Sequence, residues 1–136
     1  MDYEELKIKD YKHWEVTLHH NQYYLGRIVI WAHREEDIDI IDMSKEEREE
    51  FFKIAKEVKK ALLKLFKPDR INYTNLQNSS HHLHVHVIPR YKKSRFFEEV
   101  EFIDKRWGNN PSPYDKEFKV SNSILYKIRD AIKEIL

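Results

Sequence analysis

The sequence predicts an α+β fold, with helices packed on an antiparallel sheet. Three observations predict it. Short stretches in the N-terminal third alternate apolar and polar residues, as half-buried strands do. A capping box at Ser44 opens a long run of apolar residues at helical spacing. Four histidines, His81, His82, His84 and His86, then fall within six residues, the last three alternating with apolar side chains as His82-Leu83-His84-Val85-His86-Val87-Ile88.

Each element has its own local reason. Trp14-Glu15-Val16-Thr17-Leu18 alternates as a strand, His19-His20-Asn21-Gln22 reads as a turn, and Tyr24 to Trp31 reads as a second strand. The two strands are expected to pair as an antiparallel hairpin. Asp37 to Met43 is a connection rich in Ile and Asp. In Ser44-Lys45-Glu46-Glu47 the hydroxyl can accept from the Glu47 amide while that carboxylate reaches back to the Ser44 amide. Phe51, Ile54, Ala55, Val58, Ala61, Leu62 and Leu65 form the apolar stripe of the helix that follows, and Pro68 marks its end.

Arg70 to Thr74 reads as another strand, Asn75 to Ser80 as a polar turn, and His82 to Ile88 as the histidine strand. Pro89 is expected to end that ladder, because proline has no N–H to donate. Tyr91 to Phe118 is the least regular stretch, with Trp107 to Tyr114 as a loop. Ile124, Leu125, Ile128, Ala131, Ile132 and Ile135 give a final amphipathic helix.

Composition narrows the function classes. The chain has 136 residues, 40% of them hydrophobic and 36% charged, which suits one packed domain. Its 25 basic and 24 acidic residues nearly cancel, so net charge gives no argument for a nucleic-acid polymer or a membrane surface as partner. Cysteine is absent, which excludes disulfides, thiolate metal sites and cysteine nucleophiles. The N-terminus, Met1-Asp2-Tyr3-Glu4-Glu5, is acidic and unlike a signal peptide, and no apolar run approaches the roughly 20 residues of a membrane span. A cytoplasmic protein is expected.

Successive side chains of a strand point to opposite faces, so His82, His84 and His86 should line one face about 6.5 Å apart, with Leu83, Val85 and Val87 turned into a core. Such a row can do two kinds of chemistry. A neutral ring nitrogen can attack phosphorus, with neighbouring imidazoles donating to negative oxygens, and His84 is the natural nucleophile because a histidine flanks it on either side. Alternatively, alternate histidines can chelate a metal, with His86, a distant histidine or a carboxylate completing the ligand set. Asn78, Ser79 and Ser80 in the preceding turn can offer donors to a phosphate, though Asn and Ser also favour turns for local reasons. Trp31 and Trp107 are candidates for base stacking that more often serve packing. Lys92, Lys93 and Arg95 make a short basic run next to the strand's end.

The seven residues from His82 to Ile88 match the His-φ-His-φ-His-φ-φ signature of the histidine triad (HIT) superfamily at every position, with Pro89-Arg90 following. Tyr24 to Ile30 resembles the family's glycine-containing strand. Asp37-Ile38 and the Ser44 helix start resemble the segment after it. Ile71-Asn72-Tyr73, Leu76 and Asn78 resemble the approach to the triad in a bacterial and archaeal branch of diadenosine polyphosphate hydrolases. The resemblance covers about residues 14–91. It implies one HIT-like domain over 1–136 with a C-terminal extension from about 92 to 136. It also implies a five-stranded antiparallel sheet with two main helices, joined to a second copy as a homodimer with a continuous ten-stranded sheet.

The resemblance further implies a nucleotide substrate, such as a dinucleoside polyphosphate or a nucleoside phosphoramidate, and a covalent intermediate on His84. His82 and His86 would orient or protonate groups around it, Asn78 and Ser79 would lie near phosphates, and the hairpin at Leu18 to Asn21 near base and ribose. No cofactor and no metal is implied. A metal-dependent hydrolase and a nucleotide-binding regulatory protein with little turnover are the alternatives. Two departures stand out: Asn78-Ser79-Ser80-His81 lacks the glycine many members carry before the triad, and Ala32-His33-Arg34 replaces a common Lys-Arg-His segment. His81, of opposite strand orientation, is expected to be exposed.

Overall fold

A computed structural model describes residues 3–136; Met1 and Asp2, the start of the acidic N-terminus, lie outside the described residues. Five strands form one sheet: β1 (Lys7–Asp10), β2 (Trp14–Leu18), β3 (Ile28–Ala32), β4 (Arg70–Thr74) and β5 (His84–Arg90). Their order is β1-β2-β3-β5-β4, and every neighbouring pair is antiparallel. Helix α1 spans Lys45–Phe66 and α2 spans Asn122–Ile135. A hairpin of β6 (Arg95–Phe97) and β7 (Val100–Phe102) stands apart from the main sheet. The expected α+β fold with a five-stranded antiparallel sheet and two main helices is the one observed.

Register sorts the side chains onto two faces. β2 pairs with β3 from Trp14↔Ala32 to Leu18↔Ile28, and β3 pairs with β5 from Trp31↔His84 to Ile28↔Val87. Alternation then places Trp14, Val16, Leu18, Ile28, Ile30, Val85 and Val87 on one face. That face is buried in a cluster with Phe51, Ile54, Val58, Leu62 and Phe66 of α1 and Leu125, Ile128 and Ile132 of α2. Glu15, Thr17, Val29, Trp31, His84 and His86 share the opposite face. The C-terminal helix thus covers the same core as the triad strand's apolar side chains.

Helix α1 starts as the capping box requires: Ser44 Oγ accepts from the Glu47 amide at 3.1 Å, and Glu47 Oε1 accepts from the Ser44 amide at 2.7 Å. Its C-terminal carbonyls find donors in the basic run beyond the triad. Arg95 Nε donates to Phe66 O at 3.1 Å and Nη2 to Lys67 O at 2.9 Å, where a cation also complements the helix dipole.

Two strand boundaries differ from expectation. The second strand begins at Ile28 rather than Tyr24. Residues 24–27 instead form a turn closed by Arg27 N to Tyr24 O at 3.0 Å and tied by Gln22, whose Nε2 donates to His19 O and Arg27 O. Gly26 has φ +87° there, and a Cβ on it would sit 3.0 Å from Leu62 and Phe66, so α1 passes too closely for a side chain. The triad strand runs from His84 to Arg90, leaving His82 just outside it and Pro89 within it. Arg90 O accepts from Asp69 N, so residue 90 bonds toward β4 and residue 89 faces the other side. There the pairing with β3 stops at Ile28, opposite Val87, so a missing N–H breaks no ladder bond.

Candidate functional site

The triad sits in a cavity of about 580 Å³ on the polar face of the sheet. His82, His84 and His86 line it together with Thr17, Val29 and Trp31 from the neighbouring strands and His19, His20 and His33 from the adjoining turns. Trp31, opposite His84 in register, stacks on the His84 ring at 4.5 Å between centroids and 24° between planes. The His84 and His86 rings meet edge to face at 5.1 Å. His84 is only 7% exposed, so its reactive edge is held by packing on one side and opens to the cavity on the other.

Hydrogen bonds fix which nitrogen of each ring carries a proton. His84 Nδ1 lies 2.6 Å from the carbonyl of His82. A carbonyl only accepts, so Nδ1 carries a hydrogen, and in the neutral ring the lone pair is on Nε2. His82 Nε2 lies 2.5 Å from Ala32 O and is likewise the protonated nitrogen of its ring. His86 Nδ1 faces Arg27 Nη2 at 3.2 Å. Burial, then the Arg27 charge and His84, pulls the His86 pKa down to about 4. His19, half-buried beside it with ring centroids 5.7 Å apart, is pulled down to about 2 by desolvation, by Arg27 and by His20. His20, stacked on His19 at 4.6 Å, is lowered too, chiefly by burial. His86, His19 and His20 are therefore held toward the neutral form, which can donate or accept without first losing a proton.

The other candidates fall in several places. Leu18 is fully buried in the core and lines the cavity from the end of β2. Asn21 is buried outside the cavity lining; its Nδ2 donates to the carbonyls of Asp115 and Lys116, both at 3.3 Å, and its Oδ1 accepts from Tyr23 N. Asn78 and Ser79 are exposed in the turn before β5 and do not line the cavity. In that turn Asn75 Nδ2 donates to His84 O at 2.8 Å and so holds the start of the triad strand. His81 is exposed, because it precedes the strand and lies outside the alternation that would turn it toward the core. Trp107 lies under Lys92, in a separate pocket with Arg70 and Arg90.

Sequence reasoning missed Arg27, His19 and His20. Arg27 belonged to a stretch read as ordinary strand, yet a charged residue between Gly26 and Ile28 in an otherwise apolar run was a signal. The sequence marks His19 and His20 only as turn residues, although they adjoin the end of a strand whose register leads to the triad. Among the described residues, no group of three or more His, Cys, Asp or Glu side chains is arranged to hold a metal ion. The guanidinium beside His86 also adds a fixed positive charge where a second cation would have to sit.

His84 and His86 sit in register on the sheet, and His82 lines the same cavity from just before the strand. The HIT domain model matches residues 18–93, more than half of the 136-residue chain. The chain belongs to the HIT family. Solved HIT structures share its fold at low sequence identity. A histidine triad protein from Sinorhizobium meliloti superposes with a TM-score of 0.77 at 18% identity, covering 96% of this chain and 89% of that one. One from Marinobacter aquaeolei gives 0.76 at 17%, covering 96% and 87%. A hypothetical histidine triad nucleotide-binding protein from Sulfolobus tokodaii gives 0.71 at 15%, covering 96% and 82%. No curated protein sequence matches the chain. The HIT match takes in all three triad histidines, Arg27 and the turn at His19.

Proposed function

We propose that this HIT protein is a nucleotide hydrolase or nucleotidyl transferase in which His84 attacks the α-phosphate of its substrate. The observation that carries the proposal is the bond from His84 Nδ1 to His82 O, which leaves the Nε2 lone pair as the nucleophile beside the cavity. An Nε2–P bond forms as the bond from phosphorus to the leaving group breaks, and the leaving group departs with the bonding electrons. The His84 ring becomes an N-phosphorylated imidazolium, still donating from Nδ1 to the His82 carbonyl, which stabilises the new charge. Water or another acceptor then attacks phosphorus, and the ring leaves as neutral imidazole.

His86 and His82 are the flanking groups of this reading, orienting phosphate oxygens. The nucleoside is assigned to the β2 end of the cavity, where Leu18 lines it and Asn21 anchors the adjoining turn. Asn78 and Ser79, in the exposed turn leading to β5, are assigned to the phosphate side. Dinucleoside polyphosphates and nucleoside phosphoramidates are the candidate substrates, and the likeness to the Sulfolobus nucleotide-binding protein supports a nucleotide. No cofactor is part of the proposal. A cytoplasmic location is, and no helix among the described residues is long and apolar enough to cross a membrane.

The proposal includes a homodimer, and residues 1–136 acting as one unit. β4 is an edge strand, and between it and α1 lies a groove of about 580 Å³ lined by Ile40, Met43, Phe52, Tyr73 and Val85. Phe52 is 60% exposed and Tyr73 47%, an apolar surface next to an unpaired strand edge that a second copy would cover by extending the sheet.

Turnover of a dinucleoside polyphosphate and a nucleoside phosphoramidate by wild type and His84→Ala, each with and without chelator, tests the reading. The expected result is turnover in wild type that survives chelation and falls by at least about a thousandfold in the variant. Residual activity near wild type in His84→Ala would overturn the nucleophile. Loss on chelation restored by zinc would favour a metal enzyme. Tight nucleotide binding without turnover would favour a regulatory role.

A further inference from the structure

Arg27 is a buried cation that the chemistry above leaves unused. Its residue is 7% exposed, and neither Nε nor Nη1 has a hydrogen-bond partner. The guanidinium carbon lies 5.0 Å from the Tyr114 ring, and Nη2 is 3.2 Å from His86 Nδ1. Burying a guanidinium with Nε and Nη1 unanswered is costly. Two hydrophobic strands and a tight turn hold it there all the same.

Arginine carries only donors, so its contact with His86 has one meaning. Nδ1 of His86 accepts, and the ring's single proton sits on Nε2. His84, two residues away, is fixed the other way round by the His82 carbonyl, with its proton on Nδ1 and its lone pair on Nε2. We propose that Arg27 is a positioning residue that fixes the His86 proton on Nε2, so that His86 presents an N–H to the substrate's phosphoryl oxygens while His84 presents a lone pair to phosphorus. The catalytic consequence rests on the nucleotidyl-transfer reading; the tautomer assignment does not.

The surroundings favour the same state. His86 faces His84 along its own strand, His19 from the turn after β2, Val29 across from β3 and Thr74 across from β4. Arg27 is the one permanently charged group among these neighbours, and Tyr114 shields its far side. The cavity's carboxylates are Glu4, Glu15 and Glu35, of which Glu15 lies two strands away on the same face and pairs with Lys7 at 3.1 Å. No carboxylate therefore draws a second proton onto His86 from this set. Nδ1 cannot take one without breaking its contact with a cation.

Long-range proton–nitrogen spectra of the histidine rings test the assignment directly, in wild type, Arg27→Met and Arg27→Lys. The expected wild-type pattern at pH 7 is a bare Nδ1 and a protonated Nε2 on His86. Arg27→Met should give a tautomer mixture and a His86 that titrates closer to 6.5, while Arg27→Lys, which restores a donor cation, should recover the Nε2–H form. If nucleotide turnover is present, Arg27→Met should lower kcat about tenfold with little change in KM. That deficit should shrink toward pH 5.5, where protonation of the variant's His86 puts a hydrogen back on Nε2. A merely structural arginine would give a deficit independent of pH. A wild-type His86 with its proton on Nδ1, or an unchanged tautomer in Arg27→Met, overturns the inference. Absence of turnover on any nucleotide, with the spectra as expected, would sink the nucleotidyl reading and leave the tautomer assignment standing.

Discussion

A neutral imidazole has one lone pair and one N–H, and at this site the backbone and one arginine decide which nitrogen has which. The cost is acid sensitivity. His86 is held down to about 4 and His19 to about 2, in both cases first by burial and then by Arg27, against an ordinary value of 6.5. Between pH 6.5 and 4 the unfolded chain binds protons on these residues that the folded chain refuses, so stability falls as pH drops through that window. From pH 7 to pH 5 the two should cost about 2 kcal/mol together, with the solvent access of both half-buried rings discounted. Thermal melts should show a Tm several degrees lower at pH 5 than at pH 7, and His86→Asn should make that slope shallower. A Tm that is flat or rises on acidification would contradict this. At this scale the triad was legible from alternation alone. Arg27 was not, because its role depends on a turn that brings residue 27 to residue 86, and no local pattern encodes that contact.

The turn before β3 is the element that sets the site's geometry. Gly26 has φ +87°, and α1 packs so closely that an added Cβ would meet Leu62 and Phe66 at 3.0 Å. Gly26→Ala should therefore combine backbone strain with overpacking and cost about 2–3 kcal/mol in denaturant unfolding. A change within about 0.5 kcal/mol would mean the turn tolerates a side chain and the argument is wrong. The strands and helices with a clean periodicity or cap, namely Trp14–Leu18, Arg70–Thr74 and the helix at Ser44, lie where the sequence predicts them. The β6–β7 hairpin lacked any signal. Its turn residues, Glu98 and Glu99, both adopt positive φ, 49° and 67°, a conformation usually announced by Asn or Gly. β1 is equally silent, since Lys7-Ile8-Lys9-Asp10 has a single apolar residue to bury. Pro89 is tolerated inside β5 because β3 begins only at Ile28, opposite Val87, so the missing N–H meets no partner strand.

At the scale of the whole molecule, the apolar core lies on one sheet face and the chemistry on the other, and β4 is one of the sheet's two edge strands. A homodimer through β4 and α1 predicts that Tyr73→Glu combined with Phe52→Glu lowers the mass measured by light scattering from two chains to one, with the fold retained by circular dichroism. A wild-type protein that runs as a monomer would contradict it. The central claim, that His84 becomes covalently nucleotidylated, is also read on the intact molecule. Wild type mixed with a dinucleoside polyphosphate or a nucleoside phosphoramidate, quenched without acid and weighed by mass spectrometry, should gain one nucleoside monophosphoryl group. That group should map to His84 after digestion and be absent from His84→Ala. Rapid turnover with no such adduct under any quench, or an adduct that persists in His84→Ala, would contradict the account.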